Sequence, residues 1–139
     1  GFDAMRRIAD DDNINLPAMS HPSFYGSMGT TPTTGMSHYT LYGQIQRLAG
    51  AGMSVYPNFG GRFSFSEDEC RSIVEGTDDD MGHLKAIFPA PGGGMTMEKV
   101  PKMNAFYGTD VVYLVGGGLH RHSDNLTDNV RYFMDLISV

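Results

Sequence analysis

The sequence predicts an α/β fold in which four parallel strands form half of an eight-stranded barrel. Helix-like and strand-like segments alternate strictly, which is typical of parallel strands joined by right-handed crossovers. Two predicted strands, residues 85–91 and 111–115, each run into three consecutive glycines. The 139 residues are too few for a complete barrel, which needs roughly 250. We therefore expect residues 1–139 to form a partial barrel domain.

The predicted elements follow in order along the chain. They are a helix at residues 3–10, a strand at 14–20, a helix at 38–49, a strand at 53–56, a helix at 66–75, a strand at 85–91, a helix at 99–107, a strand at 111–115 and a final helix beginning at Ser123 or Asp124. Residues 23–37 have no hydrophobic period and are long for a connector, so they form either a functional loop or a poorly ordered one.

Periodicity and capping signals support the helices. Leu41, Ile45 and Leu48 fall on one face of the second helix. The third begins with a capping-box pattern at Ser66, and Gly76 is its expected stop. The fourth begins near Pro101 and stops at Gly108, and in the last helix four apolar side chains share a face.

Residues 111–115 form the stretch around which the chain is organised. A continuous apolar run rich in β-branched residues predicts a strand buried on both faces. The glycines that follow leave backbone N–H groups bare for a ligand, as do those after residue 91, so the pair predicts an anion cradle. The simpler alternative is that these glycines only let strand meet helix tightly.

Composition narrows the function classes. A net charge of -6 argues against a nucleic-acid groove, and no apolar run approaches the roughly 20 residues of a membrane span. The single cysteine, Cys70, excludes an internal disulfide and fits a reducing compartment. We expect a cytoplasmic protein with a small phosphorylated substrate, bound neither to nucleic acid nor to membrane. Because the chain opens at Gly1 without an initiator methionine, we also expect a missing N-terminal part.

Polar and glycine-rich groups follow each predicted strand on the same rim. His21 follows the first strand, and Asn58 and Arg62 lie in the loop after the second. His21 is a candidate general acid or base, a substrate-binding group or a hydrogen-bonded structural residue. Arg62, on a glycine-hinged loop, is positioned to close over a phosphate held by the glycines. His120 and His122, if on a strand, would share a face, but without a third ligand we favour surface or phosphate-proximal roles.

The motifs resemble those of one family. They are, in order, residues 21–26 (HPSFYG), 47–52 (RLAGAG), 56–63 (YPNFGGRF), 89–95 (PAPGGGM) and 113–118 (YLVGGG). Their order and spacing resemble RuBisCO-like proteins, the form IV relatives of the ribulose bisphosphate carboxylase large chain. The resemblance covers nearly the whole chain and implies strands five to eight of a (β/α)₈ TIM barrel, in a family of dimers whose sites are shared between subunits.

The resemblance implies roles for individual residues. Gly94, Gly116 and Gly117 resemble the backbone donors to one substrate phosphate, with Gly93 beside them. His21 resembles the active-site histidine after the fifth strand. Arg62 stands where carboxylases have a lysine.

Departures from the carboxylase pattern imply a different reaction. Pro22 stands in place of an arginine for a second phosphate, Val55 in place of a histidine and Gly92 in place of a serine. The resemblance therefore implies an enolase, isomerase or decarboxylase acting on a monophosphate, by proton abstraction next to a carbonyl assisted by Mg²⁺. The Mg²⁺ ligands are expected outside this chain. A true carboxylase and a non-catalytic phosphate-binding or interaction module are the alternatives.

Overall fold

A computed structural model describes residues 1–31, 33–63 and 65–138. Its helices are α1 (Phe2–Ala9), α2 (a π-helical part, Tyr39–Gln44, continued by Ile45–Leu48), α3 (Glu67–Asp78), α4 (Val100–Tyr107), α5 (Gly117–His122) and α6 (Leu126–Ile137), with 3₁₀ helices at Pro22–Ser27 and Met97–Lys99. Its strands are β1 (Met19–Ser20), β2 (Gly29–Thr31), β3 (Thr34–Gly35), β4 (Met53–Pro57) and β5 (Phe88–Gly92).

The central sheet is parallel, as predicted, with the strand order β1-β4-β5. Ser20 pairs with Ser54, and Pro57 pairs with Gly92 at the carboxyl end. The first strand is shorter than expected, because only two residues of the predicted run pair with β4 and Leu16 is 72% exposed. α2 and α3 pack on each other and on this sheet.

The prediction that residues 111–115 form a strand buried on both faces is wrong. They lie beside β5, where Val112 N donates to Pro89 O at 3.0 Å and Leu114 N donates to Pro91 O at 3.3 Å. Within the described residues it forms one bridge, between Gly92 and Leu114, and all five residues are half-buried. The segment lies at the edge of the described sheet, with β5 beside it on one side and no described strand on the other, so its pairing and its burial are both incomplete.

The second helix is present, but its face differs from the prediction. Leu41 is buried, whereas Leu48 is 54% exposed and the polar Gln46 and Arg47 are buried. A π-helical turn holds more residues than an α turn. It therefore shifts every later side chain away from the face that a 3.6-residue period assigns.

The capping box at the start of α3 is confirmed, with Ser66 Oγ accepting from Glu69 N and the Glu69 carboxylate accepting from Ser66 N. Gly76 does not end this helix, which continues to Asp78. A Cβ at Gly76 would overlap the carbonyl of Tyr39, and one at Gly43 would lie 2.5 Å from the Gly76 carbonyl carbon. Gly76 is thus a point of close contact between α2 and α3.

The remaining connections carry more structure than predicted. Residues 23–37 contain most of one 3₁₀ helix and an antiparallel hairpin of β2 and β3. Gly108 ends α4 as predicted. The second triple glycine runs directly into α5, which the sequence reading missed, and Asn125 caps α6 in place of Ser123 or Asp124.

The core lies between the sheet and helices α2, α3 and α4. Its buried members are Tyr25, Leu41, Tyr42, Tyr56, Phe59, Cys70, Ile73, Met95, Met103 and Tyr107. Within the described ranges, no helix has the length and apolar character needed to cross a bilayer.

Candidate functional site

Three glycine-containing loops meet at one edge of the sheet. The parallel register of β4 and β5 places residues 58–62 and 93–96 side by side, because each loop follows the carboxyl end of its strand. Residues 116–118 follow the edge segment that bridges to Gly92. The structure therefore brings together most of the predicted binding residues.

The first two loops touch through their backbones. A Cβ at Gly94 would lie 2.9 Å from Gly61 Cα and 3.5 Å from Arg62 N, and Gly94 has a φ of +70°. A Cβ at Gly61 would overlap the carbonyl oxygen of Gly93. Only glycine combines a positive φ with so close a backbone contact. These glycines therefore hold the two loops together as well as forming turns.

The third loop packs against the second in the same manner. A Cβ at Gly118 would overlap the Met95 carbonyl oxygen and lie 3.0 Å from Thr96 Cα. Gly116 and Gly93 have open space at their Cβ positions, and both are exposed. The guanidinium of Arg121 folds back over Gly117, with Nη1 2.7 Å from the position of a Cβ.

Unpaired donors line these loops. The N–H groups of Gly61, Gly94 and Gly116 donate to no acceptor among the residues that the structure describes, whereas the bridge between Gly92 and Leu114 turns the Gly93 N–H towards the Leu114 carbonyl oxygen. Free N–H groups on adjoining turns form concave sites for anions. This edge of the sheet can therefore bind a phosphate through its backbone.

Asn58 lies beneath the loops. It is 2% exposed, and its Oδ1 accepts from the hydroxyl of Tyr107 at 2.7 Å. Its Nδ2 contacts the sulfur atoms of Met95 and Met103, each at 3.1 Å. Burial raises the pKa of Tyr107, which therefore stays a neutral donor. The Asn58 side chain thus supports the loop from below and is not exposed at the rim.

His21 and Arg62 differ in their surroundings. The exposed Arg62 lies in the loop after β4 with its guanidinium 5.7 Å from the Phe63 ring centre, and it has no ion pair within the described ranges. His21 follows β1, and its Nδ1 accepts from Ser23 N at 3.2 Å. A neutral imidazole that accepts through Nδ1 carries its hydrogen on Nε2. Nε2 is therefore a hydrogen-bond donor in this arrangement.

His120 and His122 lie on α5 and not on a strand, which corrects the premise of a shared face. Residues two apart on a helix do not face each other. The His122 ring stacks on Tyr132, with the ring centres 5.0 Å apart. In the described part of the chain, no three His, Cys, Asp or Glu side chains come together as metal ligands would.

Lys99 is a member of the site that the sequence reading missed. Its ammonium donates to the carbonyl oxygens of Gly60, at 2.8 Å, and Gly94, at 3.0 Å. A lysine at the start of a helix is usually a surface residue, so the sequence carried no signal for this contact.

Comparison with known proteins identifies relatives along the whole chain, although no family model matches. The chain is 33% identical over 137 residues to the ribulose bisphosphate carboxylase-like protein of Archaeoglobus fulgidus, covering 99% of this chain and 31% of that protein. It is 32% identical over 124 residues to the 2,3-diketo-5-methylthiopentyl-1-phosphate enolase of Geobacillus thermodenitrificans, covering 89% of this chain and 30% of that protein.

A match over a shorter part of the chain has a higher sequence identity. Over 78 residues, 56% of this chain and 21% of the relative, the chain is 44% identical to the 5-methylthioribulose-1-phosphate isomerase of Rhodospirillum rubrum. Among solved structures, a rubisco-like protein from Alicyclobacillus acidocaldarius matches with a TM-score of 0.87 and 28% identity, covering 99% of this chain and 34% of that one. The chain thus spans at most about a third of the length of these proteins.

Proposed function

This chain belongs to the RuBisCO-like proteins, whose C-terminal barrel segment it carries, and from that membership we propose that it binds the substrate phosphate in a sugar-phosphate enzyme. The complete protein removes a proton next to a carbonyl in a phosphorylated sugar or keto acid. The reaction is of the enolase, isomerase or decarboxylase type and does not fix carbon dioxide.

The observation that carries this proposal is the set of unpaired N–H groups on three adjoining loops. Gly93, Gly94, Gly116 and Gly117 are the proposed phosphate ligands. Backbone donors fixed before the substrate arrives need little reorganisation on binding, which favours an anion held in one orientation. Asn58 contributes to binding as a support for the loop, through its contact with Tyr107.

Arg62 and His21 are the proposed catalytic residues. The Arg62 guanidinium has no ion-pair partner among the described residues and lies on a loop that already touches the glycines, so it can stabilise negative charge on the substrate as the loop closes. His21 offers Nε2–H as a donor to a substrate carbonyl or hydroxyl. Transfer of a proton by His21 would use the same nitrogen.

Magnesium is part of the proposal only at the level of the complete protein. The described side chains of this chain do not provide a set of three metal ligands. Mg²⁺ ligands would therefore have to come from outside this chain. A homodimer or larger assembly of the complete protein is proposed from the resemblance to a family of dimers.

The names of the relatives supply the substrate class to test. One relative is named an isomerase of 5-methylthioribulose-1-phosphate and another an enolase of 2,3-diketo-5-methylthiopentyl-1-phosphate. Both compounds carry one phosphate, which fits a single cradle. Archaeal carboxylases share the fold at 19–21% identity, and that likeness extends to the fold alone.

The test follows proton exchange in the complete protein. Each of the two compounds is incubated with the protein and Mg²⁺ in D₂O, and NMR follows loss of the proton next to the carbonyl. We expect exchange with one of them, lowered about 10- to 100-fold by Arg62→Met, and no incorporation of carbon dioxide into ribulose bisphosphate.

Arg71→Met is the matched control, because Arg71 is also exposed but lies on α3 over the Phe106 ring, 4.7 Å from its centre. It should leave exchange unchanged. Absence of exchange with both compounds, together with failure of inorganic phosphate to bind, would contradict the proposal.

A further inference from the structure

Lys99 joins the two loops that follow β4 and β5. Its ammonium bonds to one carbonyl oxygen from each, that of Gly60 at 2.8 Å and that of Gly94 at 3.0 Å. The side chain is half-buried at the N-terminal boundary of α4. Hydrogen bonds from a charged donor are roughly twice as strong as neutral ones, so one side chain couples two loops that are far apart in the sequence.

These bonds also orient two peptide groups. The C=O and N–H of a trans peptide point in opposite directions. When the carbonyls of Gly60 and Gly94 point at the ammonium, the N–H groups of Gly61 and Met95 point away from it. The carbonyl oxygens, which would repel a phosphate, are thereby occupied by a cation.

We propose that Lys99 is a positioning residue that holds the loop carrying Arg62 against the glycine cradle and turns its peptides for anion binding. The inference rests on the proposed function of the cradle. Lys99 acts through the backbone of the two loops and adds a positive charge beside them. Removal of the ammonium would free the loop after β4 and lower affinity for a phosphate.

A neighbouring lysine shows that this arrangement is specific. Lys102 lies on α4, pairs with Glu67 and places its ammonium 4.9 Å from the centre of the Phe59 ring. It is exposed, its ammonium is hydrogen-bonded to Glu67, and its contact with the loop after β4 is confined to the Phe59 ring, which the apolar stem of a methionine would still cover. Lys102→Met is therefore the matched control for Lys99→Met.

The experiment combines two measurements on the complete protein. Hydrogen exchange, followed by mass spectrometry of peptides covering residues 57–63 and 92–97, reports loop order without ligand. Calorimetry with inorganic phosphate reports affinity. For Lys99→Met we expect exchange about tenfold faster in both peptides and affinity about tenfold weaker. Lys99→Arg should restore most of both, and Lys102→Met should alter neither.

The outcomes separate this inference from the proposed function. If the unaltered protein does not bind inorganic phosphate, the proposed function of the cradle fails, whatever the exchange data show. If it binds phosphate but Lys99→Met leaves either affinity or loop exchange unchanged, the positioning role is overturned. Should Lys99→Met not fold, Lys99→Gln takes its place, because glutamine is neutral and keeps two donors. It is compared with Lys99→Arg, and the same criteria for affinity and exchange apply.

Discussion

At the scale of single residues, the glycines of the cradle are fixed by sterics. Gly94 combines a φ of +70° with a Cβ position 2.9 Å from Gly61 Cα. A side chain there would strain the backbone and push the loop after β4 away. Gly94 is also a proposed phosphate ligand, so the steric demand and the proposed binding role fall on one position.

Substitution Gly94→Ala is therefore expected to lower the free energy of unfolding by about 1–3 kcal/mol and to weaken binding of inorganic phosphate by tenfold or so. Calorimetry and thermal unfolding of the complete protein measure both. Gly82→Ala is the control, because Gly82 has a φ of +67° but open space at its Cβ. It should share the strain and leave phosphate binding intact; equal affinity in the two variants would refute the steric argument.

At the scale of elements, Arg47 links α2 to the end of α3. It is 4% exposed, and its guanidinium donates to the carbonyl oxygens of Asp79 at 2.5 Å, Leu84 at 2.9 Å and Lys85 at 3.0 Å. These carbonyls belong to the turn that leads from α3 to β5. A cation at the carboxyl end of a helix also complements its dipole.

Removal of this side chain should loosen the turn. Arg47→Met keeps the apolar volume but removes the donor to three part-buried carbonyls, and we expect a loss of about 1–3 kcal/mol in the free energy of unfolding. Urea denaturation measures it. Arg71→Met, which removes an exposed arginine from α3, should cost about 1 kcal/mol or less. A similar cost for both variants would show that the buried contacts contribute little.

The features that were predicted correctly are those that depend on residues close together in the sequence. The capping box of α3 and the glycine stop of α4 depend on neighbouring residues, and both are confirmed. The role of Gly76 depends on Tyr39 and Gly43 across a helix interface, which no local pattern encodes. The same holds for the site: the glycines were visible from strand ends, whereas Lys99 required the packed loops.

At the scale of the whole molecule, the sheet has open edges. Among the residues that the structure describes, β1 pairs only with β4, and residues 111–115 lie beyond β5 with all five side chains half-buried. Exposed apolar side chains lie at several places on the described surface, including Leu16 and Phe63 at 72% and 62%. Open edges with apolar side chains favour pairing between chains.

We accordingly expect the 139-residue chain on its own to be poorly soluble or to dimerise, and sedimentation velocity over a range of concentrations measures this. Met19→Lys places a charge on the exposed edge strand and should reduce association. Ser27→Lys places the same charge on an exposed 3₁₀ helix and should have a smaller effect. A stable monomer that unfolds cooperatively would contradict the expectation.

The π-helical turn of α2 also decides where this segment tolerates a change in length. Residues 39–44 contain a wider turn than an α-helix, and Arg47 reaches the carbonyls that follow α3 from just beyond it. Deletion of one residue within the wide turn can be absorbed by closing it to an ordinary α turn, which leaves Arg47 and Leu48 in their present directions. Deletion of one residue after the turn would instead rotate everything that follows by about 100°. This helix should therefore accept a deletion in its π-helical part more readily than one in Ile45–Leu48.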